Sequence, residues 1–515
     1  MSRVSKTLKN AKIGVLFYVI TIFANFFSRK IFLEYLGDDF IGLTTTLQGI
    51  LGFLNLAELG IGTAIGFTLY KPIFKKNYEL INRILALFGN LYKKVGFITL
   101  ITGVVVSLFF TLIFKDVDFS YTIIYFVFYC YLSSTLIGYF YNYHLILLEA
   151  DQKGYVVTQY YKSFTLFRLI LQSVVLLYFK NYYLWIGIEL FFAIIYSFTL
   201  RRKIQKIYPW LDLKYKSNKS ILKEFPEIIK KIKQIVVHKI GGFVLNGTDQ
   251  LLIFAFVNLE SVAFFGNYQL IFMNLLGLLN NLFAGTAAGI GNVVAENNKN
   301  TIKKVFWEMM SLRYFIAGTI CVALFYLTEP FIALWLGEKY ILNSAIFMVM
   351  LLNLFIMQIR GPVDNFKQAY GLYDDTWAPI AQSIINLVIS VALGYKYGIL
   401  GIMIGSLVSL LLIIIIWKPY YLYKRGFKIN CGLYWIGFLK LLISFIVSFI
   451  CFHYIAVKYA TFKFENYLEW SFSAIKITIV FSIIYFLTLY IFNKGFKDIV
   501  LRAKLLILKK YQDGK

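Results

Sequence analysis

Acidic side chains are scarce in this sequence: 26 Asp and Glu stand against 52 Lys and Arg, for a formal net charge of +26. Only 15% of residues are charged, and there are four cysteines, three histidines and seven prolines in 515 residues. Cys130, Cys321, Cys431 and Cys451 have no spacing that suggests a disulfide frame or a metal site. The histidines, His144, His238 and His453, are scattered singly and read as structural polar residues. There is no Walker A phosphate loop, so nucleotide-driven work is not expected. The only paired acids, "GDD" (37–39) and "YDD" (373–375), fall on opposite faces of the expected topology and cannot form one two-carboxylate catalytic site. We therefore expect no enzyme, no cofactor and no metal.

What is abundant is apolar surface. The chain is 59% hydrophobic and 19% aromatic, with a mean hydropathy of +0.70, well beyond the usual soluble range. Apolar runs long enough to cross a hydrocarbon core of about 30 Å recur from end to end. They predict an all-α polytopic membrane protein with fourteen transmembrane helices, near 13–36, 41–70, 95–114, 121–147, 155–179, 184–200, 236–257, 262–295, 305–327, 344–366, 377–393, 399–417, 431–455 and 470–493. The first span follows a basic start without a small-residue cleavage site, so it is expected to be retained.

This topology places 37 of the 52 cations on one side, six on the other and nine within spans. The asymmetry obeys the positive-inside rule, predicts that both termini are cytoplasmic, and argues against nucleic acid as the partner of the positive charge. The loop at 201–235 and the tail at 494–515 are the richest basic segments. They are expected to rest on anionic lipids at the cytoplasmic face.

Residues 42–66 ("GLTTTLQGILGFLNLAELGIGTAIG") and 266–291 ("GNYQLIFMNLLGLLNNLFAGTAAGIG") resemble each other. The repeat divides the chain into an N-terminal six-helix lobe (1–200), a basic linker (201–235), a C-terminal six-helix lobe (236–424), two additional helices (425–493) and a basic tail (494–515). Six spans per lobe makes the repeat parallel, and duplicated bundles bind substrate at mid-membrane and work by alternating access.

Polar residues at helical spacing mark faces that suit a watery cavity. The first span has Thr21, Asn25 and Ser28 with Arg29 adjoining; the fifth has Tyr161, Thr165, Arg168 and Gln172. The seventh carries Asn246 and Asp249, and the eleventh Gln382 and Asn386. In the tenth, "IRGPVDNFKQAYG" (359–371), Gly361 and Pro362 predict a break flanked by Arg360 and Asp364 at i, i+4. A charge near the bilayer centre costs on the order of 2.5–3.5 kcal/mol on insertion scales. Arg29, Arg168 and Arg360 accordingly need partners or a purpose, and a planar guanidinium fork matches phosphate oxygens. Local pairs, Arg29 with Glu34 and Arg360 with Asp364, are the competing accounts. Glu58, Glu189, Asp249 and Asp364 serve either charge balance or ion coupling, and the sequence leaves both open. Lys30, Lys239, Arg313 and Lys440 read as edge cations.

The pattern resembles the lipid-linked oligosaccharide flippases, the O-antigen and capsule exporters of the superfamily that includes the multidrug and toxic-compound extruders. The resemblance spans almost the whole chain. It rests on "FLEYLGDDFIGLTTTLQGILGFLNLAELGIGTAIG" (32–66), "LLEADQKGYVV" (147–157), "ALWLGEKY" (333–340), "AYGLYDDTWAPIAQSIINLVISVALGYKYGILGIMIGSLVS" (369–409) and "RGP" (360–362). It implies a MATE-like pair of six-helix lobes with a cationic cavity, in a bacterial cytoplasmic membrane. It further implies translocation of an undecaprenyl-pyrophosphate-linked glycan from the cytoplasmic to the outer leaflet for surface polysaccharide biosynthesis, with polysaccharide polymerase and glycosyltransferases as neighbours in the pathway. Arg29 and Arg360 stand at places compatible with the basic residues of such cavities. The alternatives are an ion-coupled multidrug antiporter of the same fold and a membrane-embedded polymerase or glycosyltransferase.

Overall fold

A computed structural model describes residues 3–58, 61–213, 215, 247–283, 286–459 and 464–513. Among these the chain is helical, with no strand, and twelve helices are long and apolar enough to cross a membrane. Each overlaps one expected span, though the third is displaced, its helix running Tyr78–Ser107 against the expected 95–114, and the second and the seventh spans have no counterpart among the twelve. The second is divided between two shorter helices, and most of the seventh lies outside the described residues, as do Asn246, His238 and Lys239.

The chain falls into two compact units, residues 1–263 and 264–515. The first contains α1 (Arg3–Leu36), α2 (Asp38–Leu54), α3 (Ile61–Phe74), α4 (Tyr78–Ser107), α5 (Tyr121–Tyr141), α6 (Gly154–Phe179), α7 (Tyr182–Ile207), α8 (Asp249–Phe256) and the start of α9 (Leu259–Phe283). Its helices begin where side chains cap free backbone N–H groups: Asn77 Oδ1 accepts from Leu80, Ser120 Oγ from Ile123, and Asn181 Oδ1 from Leu184. The α1 helix packs along α6, α6 against α7, and α4 against α5. The apolar core collects Ile65, Leu69, Ile84, Phe88, Leu148 and Leu200. Glycine sets the closest approach here, since a Cβ on Gly42 would lie 2.1 Å from the Leu259 carbonyl oxygen.

The second unit continues through α10 (Thr286–Ala295), α11 (Lys299–Trp335), α12 (Ser344–Ile359), α13 (Gly361–Ala369), α14 (Trp377–Tyr397) and α15 (Ile399–Leu410) to α16 (Gly432–Tyr459), α17 (Tyr467–Phe492) and α18 (Lys494–Asp513). The two repeat segments fall on α2 and α3 in one case and on α9 and α10 in the other. The tenth span turns where glycine and proline predict, α12 ending at Ile359 and α13 starting at Gly361 with Pro362 in its first turn. Beyond α15 the winding widens. Leu411–Trp417 and Leu422–Phe427 form π-helix on either side of the short α turn Lys418–Tyr421. The core of this unit is aromatic: Phe306 packs edge-on against Phe366, Tyr423 and Phe427.

Candidate functional site

In the second unit the helix break exposes a cluster of charges. Arg360 caps α13 and turns its Nε to Asp364 Oδ2 at 3.2 Å. Lys418 Nζ donates to the other oxygen, Oδ1, at 2.6 Å from the α turn between the π-helical stretches. One helical turn past Asp364, Lys367 pairs with Asp375, whose Oδ2 also accepts from Trp417 Nε1 at 3.2 Å. Lys367 Nζ stands 4.9 Å from the centroid of the Tyr421 ring.

Arg313 reaches the same break from α11. Its guanidinium carbon lies 3.4 Å above the Phe283 ring and its Nη1 donates to Gln358 Oε1 at 3.4 Å. A Cβ on Gly361 would meet the guanidinium at 3.1 Å, so glycine is what lets this arginine lie across the start of α13. Asn365 Nδ2 bonds Thr286 Oγ1 at 3.4 Å, tying α13 to the beginning of α10.

The cluster therefore holds Arg313, Arg360, Lys367 and Lys418 against Asp364 and Asp375, an excess of positive charge inside an apolar helical unit. The Arg360 side chain remains 32% exposed while Lys367 keeps 10%. Of the three ion-paired cations, Arg360 thus has the most room to meet a ligand, Lys418 being 17% exposed.

The first unit arranges its charges differently. Arg168 on α6 is locked to Glu189 on α7 in a short ion pair, with its Nε buried and unbonded among the described residues. Arg29 Nη2 donates to the Ala263 carbonyl at 3.2 Å. Gln172 is fully buried and donates to the Trp185 carbonyl at 2.9 Å, crossing the same α6–α7 seam. Thr21 and Thr165 return their hydroxyls to carbonyls one turn back, Phe17 and Tyr161. Ser28 is buried, Asn25 half-buried, and the Tyr161 ring 53% exposed. Asp249 is buried in the first turn of α8. In the second unit Gln382 and Asn386 are buried, and Asn386 Nδ2 donates to Ser406 Oγ at 2.8 Å across the α14–α15 seam.

A cavity of about 660 Å³ lies within the first unit. Asn55, Glu58, Tyr92, Tyr139, Asn142 and Glu149 supply its polar lining, and among the described residues no lysine or arginine lines it. Glu58 accepts a short hydrogen bond from the Tyr92 hydroxyl, and Tyr139 Oη donates to Asn55 Oδ1 at 2.9 Å. Glu149, in the connection beyond α5, is held above the usual carboxylate range by burial.

Sequence reasoning places Arg360 and Asp364 together. It discounts Arg313 as an edge cation and counts Lys367 and Lys418 as loop cations, because its spans end at residues 366 and 417. A signal is there to be read: Lys418 is followed by further apolar and aromatic residues, "PYYLY".

No protein-family model and no curated protein sequence matches the chain. Solved structures do. The lipid II flippase MurJ in an inward closed conformation aligns at a TM-score of 0.63 and 15% identity, covering 92% of this chain and 99% of that one. A multidrug resistance MATE family transporter of the MOP superfamily aligns in its outward-facing conformation at 0.52 and 14% identity, over 82% and 96%. An inward-facing MATE family structure aligns at 0.50 and 14%, over 81% and 99%. The resemblance read from the sequence holds at the level of architecture: this multi-pass membrane protein has a MATE-like fold.

Proposed function

We propose that the protein is a flippase that carries an undecaprenyl-pyrophosphate-linked oligosaccharide from the cytoplasmic to the outer leaflet by alternating access. The observation that carries this reading is the cation excess around the α12–α13 break. A diphosphate diester bears a negative charge on each phosphate, and four cations held by two carboxylates leave charge to meet it. Arg360 supplies the fork for bidentate contact, and Lys418 and Arg313 supply flanking donors. The expectation for Arg29 and Arg168 is retained as a secondary one, since both are already engaged by neighbours in the first unit.

The test is a titration of purified protein in lipid nanodiscs with the lipid-linked oligosaccharide. Arg360→Ala is expected to weaken binding on the order of 10- to 100-fold, the range of a lost charge-assisted hydrogen bond. Arg360→Lys, which keeps the charge without the fork, is expected to recover part of the loss. Unchanged affinity in Arg360→Ala and in Lys418→Ala would remove the headgroup assignment.

The acidic cavity of the first unit supports a second reading, an ion-coupled antiporter for cationic compounds. On that reading Glu58→Gln abolishes proton- or sodium-driven efflux from proteoliposomes. On the flippase reading the same variant leaves binding of the lipid-linked glycan at its wild-type level.

A further inference from the structure

The C-terminal helix α18 carries an exposed face beside its contacts with α11. It starts just past α17, after Asn493, whose Nδ2 bonds Ser444 Oγ at 2.8 Å and whose N–H bonds the Leu489 carbonyl at 2.9 Å. Phe496 is 2% exposed between Phe315 and Phe486. A Cβ on Gly495 would stand 2.6 Å from the Trp307 carbonyl oxygen. Arg502 Nη2 meets the buried Glu308 Oε2 at 3.0 Å, and Lys304 meets Asp498 at 3.8 Å.

These partners on α11 all fall between residues 304 and 315, about 17 Å of helix, whereas α18 has 20 residues and runs about 30 Å. One side of α18 is therefore held along residues 304–315 of α11, beside the end of α17. Flanking this anchored side runs the face Lys497, Leu501, Lys504, Leu505 at i, i+4, i+7, i+8, all exposed, with Leu501 at 50% and Leu505 at 67%. In sequence Leu508 continues the stripe, and α18 holds six Lys and Arg against two Asp.

We propose that this face of α18 lies on the anionic phospholipid surface of the membrane that α17 spans, its leucines set into the headgroup boundary and its lysines on acidic headgroups. Leucine interleaved with lysine, on a helix too rich in charge to enter the hydrocarbon, is the pattern of a helix that lies in an interface, not one that crosses it. Positive charge selects anionic over zwitterionic lipid.

The experiment uses the full-length protein with Cys431→Ser and Cys451→Ser, carrying an environment-sensitive fluorophore on Leu505→Cys, in vesicles of phosphatidylcholine with and without phosphatidylglycerol. The expected result is quenching by nitroxide-bearing lipids, protection from aqueous iodide, and protection that strengthens with phosphatidylglycerol. Lys497→Gln and Lys504→Gln leave the Arg502–Glu308 anchor intact and are expected to weaken the phosphatidylglycerol effect about fivefold per charge at low salt. Equal iodide access in both vesicle types would overturn the proposal. A label shielded from both quenchers would overturn it too, because it would mean that a protein surface covers the face.

Discussion

Asp364→Ala is expected to cost on the order of 3 kcal/mol of stability, the range for removing one partner from a largely buried ion pair. Both Asp364 oxygens are committed, one to Arg360 at 3.2 Å and the other to Lys418 at 2.6 Å. Lys418 is only 17% exposed on its side chain, so losing the carboxylate strands a cation with little water to replace it. The measurement is thermal unfolding of the detergent-solubilised protein followed by loss of monodisperse material. Asp364→Asn keeps the shape and one acceptor, and its stability should fall between wild type and Asp364→Ala. Combining Asp364→Ala with Lys418→Met removes the stranded charge and is expected to recover a large part of the loss. If the single variants add without coupling, the contact does not matter to folding.

Gly401→Ala is expected to open the α14–α15 seam, at about 1–3 kcal/mol or more, the penalty of overpacking. A Cβ there would sit 2.2 Å from the Leu393 carbonyl oxygen, and one on Gly405 would sit 2.2 Å from Ser390 Oγ and 2.6 Å from the Ser390 nitrogen. The clashing atoms include backbone, which has no alternative rotamer to take. Small residues at i, i+4 are how helices approach within lipid, where association depends on packing and hydrogen bonds across the seam. Here those bonds are Ser390 Oγ to the Ile402 carbonyl at 3.0 Å and Asn386 to Ser406. Membrane yield and melting temperature of Gly401→Ala, Gly405→Ala and their double variant check the expectation. Wild-type melting in the double variant would contradict the seam geometry.

The same seam explains what the sequence conveys and what it hides. Helices of this length and polarity have few alternatives in lipid, so the spans and the Gly361–Pro362 break are legible from hydropathy and backbone chemistry. The polar stripe through Gln382, Asn386 and Ser390 is equally real. A periodic stripe reports that a helix face is special without saying whether water or another helix meets it. Asn386 and Ser390 find their partners on α15, and Gln172 finds its partner on α7. At the charge cluster hydropathy misleads in the other direction. Lysine ends a hydropathy window but does not end a helix, so Lys367 and Lys418 read as loop residues although helix continues to Ala369 and Phe427. Lys418 lies 54 residues from its acid, Asp364, and Lys367 lies 8 from Asp375. Only the folded chain shows which cation goes with which acid.

The wide turns flanking Lys418 have a mechanical corollary. A π turn closes on the fifth residue where an α turn closes on the fourth, so it holds surplus chain that a tighter coil would release. Rewinding Leu411–Trp417 into α geometry would spin everything downstream about the helix axis, swinging the Lys418 ammonium off Asp364 without unfolding a single span. The grip on that carboxylate is thus set by the pitch of the coil that carries the lysine.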